Sequence, residues 1–96
     1  MSTDEIKKYT RGYRAASICY TLLESLQLSY RLIVGILLDM EFIGYNDRSD
    51  LENLRKMKSA IDYNMVRESK FTTSPLNGMA DRVLAYTLSF EEKEKT

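Results

Sequence analysis

The chain has no histidine among its 96 residues. That absence removes the commonest general base, the usual imidazole metal ligand and every Ser-His or Cys-His nucleophile arrangement. The single cysteine, Cys19, has no intrachain partner for a disulfide and cannot build a thiolate zinc site. Lying among apolar residues, it reads as a small core side chain. Cysteine usage of this kind is expected in a reducing, cytoplasmic or otherwise intracellular compartment. The four glycines, Gly12, Gly35, Gly44 and Gly78, are too far apart to form a phosphate-cradling loop. One proline and four glycines also leave few breaks, which suits a few long elements.

Charge of one sign is missing too. Fourteen basic residues balance fourteen acidic ones, so bulk attraction to nucleic acid or an anionic membrane is not expected. The greasiest run, residues 32–38, is far shorter than the roughly twenty apolar residues of a membrane span. No basic segment followed by an apolar one opens the chain, so no signal peptide is read there. Two carboxylate pairs remain as metal candidates. Asp39 and Glu41 are two apart and point to different sides of a helix. Asp47 and Asp50 span a turn and read as solvated caps. No catalytic residue, metal or cofactor is expected, and the chain is read as a non-enzyme.

What is present is helical periodicity. Ala15, Cys19, Leu22, Leu26, Ser29, Ile33, Ile36, Met40 and Ile43 follow one another at alternating gaps of four and three. Such spacing keeps nine side chains on one line for about 45 Å of helix, and only Ser29 interrupts its apolar character. The segment Ser25-Leu26-Gln27-Leu28-Ser29 lacks the usual turn formers. The seam therefore predicts one continuous helix over 13–43. The competing reading breaks it at Ser25–Ser29 into a hairpin of two shorter helices.

Upstream, Lys7, Lys8 and Arg11 followed by Gly12 resemble a helix C-terminus. Either a first helix ends there, or Gly12 is tolerated inside a longer one. Downstream, Gly44-Tyr45-Asn46-Asp47 is a stop, and Ser49 with Glu52 fits a capping box. An amphipathic helix over 50–69 follows, with Leu51, Leu54, Lys58, Ile61 and Met65 on one line. Ser74 and Pro75 start a last helix over 75–91, striped by Leu76, Met79, Val83, Tyr86 and Phe90. Residues 91–96 read as a frayed, charged tail. The fold class is therefore all-α. A single domain over 1–96 is expected, as a small bundle in which one long helix precedes an antiparallel pair and which dimerises.

Two surfaces are candidates for function. On the side of the long helix away from the seam, the polar line Glu24, Gln27, Arg31 gives way to Val34, Gly35, Leu38, Phe42 and Tyr45. A helix apolar nearly all round needs cover on every side, and this set is the expected interface with a second copy or a protein partner. The other surface is the basic N-terminal segment 1–12 and its continuation, where Lys7, Lys8, Arg11 and Arg14 alternate with Tyr9 and Tyr13. Phosphate contacts with ring stacking use such a segment, so a small nucleic-acid-binding regulator is the alternative. The leading expectation is a non-catalytic interaction module, a regulator or inhibitor, acting as a homodimer and not at a membrane.

Overall fold

The computed structural model describes residues 3–25, 28–62 and 74–95. They form four helices, α1 (Thr3–Ser25), α2 (Tyr30–Ile43), α3 (Arg48–Asp62) and α4 (Ser74–Lys95), with no strand among the described residues. None of these helices is long and apolar enough to cross a membrane.

The continuous helix expected over 13–43 is not present. α1 starts at Thr3, with Asp4 and Glu5 in its positively polarised first turn, and ends at Ser25. Leu28 and Ser29 are non-helical, while residues 26 and 27 lie outside the described set. Ser29 has extended backbone (φ −117°, ψ 122°), and its hydroxyl accepts from the Leu32 amide at 3.4 Å. An extended residue whose side chain turns back onto the third amide is a helix N-cap. The one polar position in the apolar seam is therefore where a new helix begins.

The seam survives as burial rather than as a line. Ala15, Cys19 and Leu22 on α1 are fully buried, as are Ile33, Ile36 and Met40 on α2, with Ile43 nearly so. The two helices run antiparallel, since Arg11 reaches Asp39 and Ile18 lies beside Gly35. Both turn the same kind of stripe into one core. Periodicity reports which face is covered; it does not report whether the axis continues.

α2 ends where Gly44 adopts φ 77°. The Gly44 amide donates to the Glu41 carbonyl at 3.2 Å and the Tyr45 amide to the Met40 carbonyl at 2.9 Å. This Schellman arrangement needs a left-handed residue, which glycine supplies without strain. The cap of α3 is Asp47, whose carboxylate accepts from the Asp50 amide at 3.0 Å. Ser49, expected to cap, lies inside the first turn. Leu54, Met57 and Ala60 are the buried line of α3, while Lys58 lies over the Tyr30 ring rather than in the core. The end of the helix expected over 50–69, with Met65, lies outside the described residues.

α4 packs along α1 in the largest helix–helix contact of the fold. The pair is antiparallel: Tyr9 meets the edge of Phe90, Gly12 faces Thr87, and the Tyr20 hydroxyl donates to Asp81. Gly12 is thus inside α1 and buried, with Thr87 of α4 so near that a side chain at this position would clash with it. The line Leu76, Met79, Val83 is fully buried as expected, joined by Ala80 and Thr87. The backbone of α4 stays helical to Lys95, where a frayed tail was expected.

Candidate functional site

Because α1 and α3 flank α2 and its inner face meets the core, one strip of α2 points outward. Leu38 is 52% exposed and Phe42 41%, with Val34 and Gly35 half-buried beside them. Ile6 of α1, 50% exposed, extends the same surface. With Lys7, Thr10, Arg11 and Phe42 it lines an open, largely apolar groove of about 360 Å³. Ile6 and Leu38 are the two most exposed large apolar side chains among the described residues. Of the expected interface set, the geometry brings together Val34, Gly35, Leu38 and Phe42.

Tyr45 does not belong to that set. The chain has already turned at Gly44, so its ring points inward and is only 7% exposed. Its hydroxyl donates to Asp50, and its ring meets Tyr86 edge-on at 5.4 Å. Burial, then the hydrogen bond to the Asp50 carboxylate, raise its pKa well above the ordinary phenol value.

The basic segment is arranged around a residue that the sequence did not single out as structural. Asp39 is fully buried against α1. Arg14 donates to it from Nε at 2.9 Å and from Nη2 at 2.5 Å, and Arg11 donates from Nε. The hydrogen bond to Asp39 and its charge raise the Arg14 pKa further. Arg11 also lies over the Phe42 ring at 4.6 Å. Two of the four proposed phosphate contacts are thus engaged within the fold. Lys7 and Lys8 are exposed.

A second buried aspartate repeats the device. Asp50, read from the sequence as a solvated cap, is completely buried. Arg82 of α4 grips it with Nε at 2.9 Å and Nη2 at 2.5 Å, and Tyr45 completes the set. A buried carboxylate is tolerated only when its lone pairs are filled by such donors. Asp39 closes an apolar run, whereas Asp50 sits among polar residues and carries no such signal; each is paired with arginine distant in sequence. That pairing becomes legible only once the helices are placed.

Burial alone would raise the Asp50 pKa, but the hydrogen bonds from Arg82 and Tyr45 outweigh it and hold the carboxyl below its usual range. A depressed folded-state pKa contributes stability that is complete above the unfolded value of about 4 and is lost as pH falls through the folded one. Folding should therefore weaken below about pH 4, and Asp50→Asn should flatten that acid limb in denaturant titrations at several pH values. An unchanged acid limb would show that the cluster does not govern it. Cys19, in contrast, is pushed up to about 12, chiefly by burial, and is a core thiol rather than a nucleophile.

Among the described residues no group of three or more acidic or cysteine side chains is placed to hold a metal ion. No family model, curated protein or solved structure matches the chain.

Proposed function

We propose that this chain is a non-catalytic helical interaction module that acts as a homodimer through the outward face of α2. The observation that carries the reading is the juxtaposition of Leu38 and Phe42, one turn apart on α2, with Ile6 on the same groove as Phe42, all three exposed. Contiguous apolar surface of this kind marks interaction sites in proteins that stay soluble. Arg11, fixed between Asp39 and the Phe42 ring, gives one rim of the surface a held shape rather than a mobile side chain. Such pre-ordering lowers the entropy that association must overcome.

The nucleic-acid alternative is less well supported, because Arg11 and Arg14 already serve Asp39. Two lysines on a neutral chain supply a log–log salt slope of only about −1.8, from roughly −0.9 per contact.

Leu38→Glu is the direct test. Its side chain is half in solvent, so the substitution leaves the core intact and places a charge in the interface. Light scattering should report dimers for the wild type and monomers for the variant, with matching thermal melts at low concentration. Dimers that persist in Leu38→Glu would move the interface away from this face.

A further inference from the structure

Resting on the homodimer reading, we infer that the two copies pair α2 against α2 in antiparallel fashion, with Arg31 of each chain against Glu41 of the other. The observation is the order of side chains on the exposed strip. Arg31, Val34, Leu38, Glu41 and Phe42 fall within an arc of about 100° when each residue turns about 100°. Arg31 and Glu41 are both exposed, and neither forms an ion pair within the described residues. They bracket the two aliphatic residues, a cation before them and an anion after.

A two-fold interface uses one patch twice, so residue i meets j while j meets i. With the axis crossing at the level of Ile36, Val34 meets Leu38 of the second copy. Arg31 and Glu41 each lie about 7.5 Å along the helix from that level, at 1.5 Å per residue. Antiparallel pairing therefore sets a cation opposite an anion at both ends. Parallel pairing would stack Arg31 on its own copy and Glu41 on its own copy, and like charges in register disfavour it. The strip carries its own complement only in the antiparallel sense.

The flanks fit a second helix rather than a broader body. Lys58 over the Tyr30 ring bounds the strip on the α3 side, and Arg11 over Phe42 bounds it on the α1 side. A helix of 14 residues is about 21 Å long, and a single pair falls short of the roughly 1,200 Å² of a standard interface. Association in the micromolar range is the expected strength.

Charge exchange tests the arrangement, with sedimentation equilibrium of full-length chains as the readout. Arg31→Glu and Glu41→Arg should each weaken dimerisation roughly ten-fold by opposing like charges at both ends. The double variant Arg31→Glu/Glu41→Arg should return to within about three-fold of wild type, and the weakening should shrink as salt is added. Circular dichroism at low concentration should be the same for all four, since both side chains are in solvent. A parallel dimer would give no weakening in either single variant, and that result overturns the arrangement while leaving the homodimer reading in place. Single variants that weaken with no recovery in the double variant would also overturn it. A wild type that stays monomeric overturns the homodimer reading first, and this arrangement with it.

Discussion

Arg82→Met is expected to lose about 3 kcal/mol of folding stability, the largest effect of any substitution at an exposed charge. Removing one partner of a buried ion pair leaves an uncompensated charge, at a typical cost of about 3–5 kcal/mol. The lower end applies because the Arg82 side chain is half exposed, so water can follow it inward. Among the described residues, Asp50 would keep the Tyr45 hydroxyl alone. The comparison with Asp39 sharpens the expectation. That carboxylate is held by two guanidinium groups, so Arg11→Met or Arg14→Met alone leaves one donor in place. Each single change should cost about 1 kcal/mol, and the pair together should approach the Arg82 value. Urea denaturation of the four variants reads the ranking. Equal losses in Arg82→Met and Arg14→Met would contradict the two-donor account.

Gly12→Ala should destabilise the fold by about 2 kcal/mol, although alanine is the better helix former. A methyl at Gly12 would stand 2.2 Å from Thr87 Oγ1 and 2.8 Å from Thr87 Cγ2. Thr87 cannot easily turn away, because it is fully buried and its hydroxyl donates to the Val83 carbonyl at 2.9 Å. Overpacking costs roughly 1–3 kcal/mol or more and exceeds the helical gain of about 1 kcal/mol. Thr87→Ala should recover part of the loss, since it removes both close atoms. Gly35→Ala is the matched control. Its methyl would meet only Ile18 Cδ1 at 3.8 Å, so the propensity gain should appear as added stability in the monomer. Thermal melts in which Gly12→Ala is as stable as Gly35→Ala would refute the close α1–α4 approach.

The fold was legible where burial follows periodicity. The stripes on α1, α2 and α4 were read correctly because a helix must cover one face, and spacing names that face. The Gly44 stop was legible because left-handed backbone calls for glycine. The break at Ser25–Ser29 stood only as the competing reading, because the connection preserves the heptad phase and holds none of the usual turn formers. Part of the candidate site was legible as well. Leu38 and Phe42 stood out as apolar residues with nothing assigned to cover them. Tyr45 was misplaced, since extending the helical face beyond Gly44 ignored the turn made there. The arginine–aspartate clusters were unreadable for a different reason. Arg11 and Asp39 are 28 residues apart and Asp50 and Arg82 are 32 apart, so no local pattern joins them.

These clusters also explain why the basic N-terminal segment is a weaker candidate than its composition suggests. Arg11 and Arg14 neutralise a buried charge before they can meet a phosphate. Replacing them would disturb the fold as well as any surface, so Lys7→Gln/Lys8→Gln is the clean probe of polynucleotide binding.

If the outward strip of α2 joins two copies of the chain, its mass in solution must depend on concentration. Sedimentation equilibrium of the wild-type protein, from low to high micromolar concentration, tests it most directly. The apparent mass should rise from the 11.2 kDa of one chain towards twice that value. A mass that stays at one chain across the whole range would contradict that pairing.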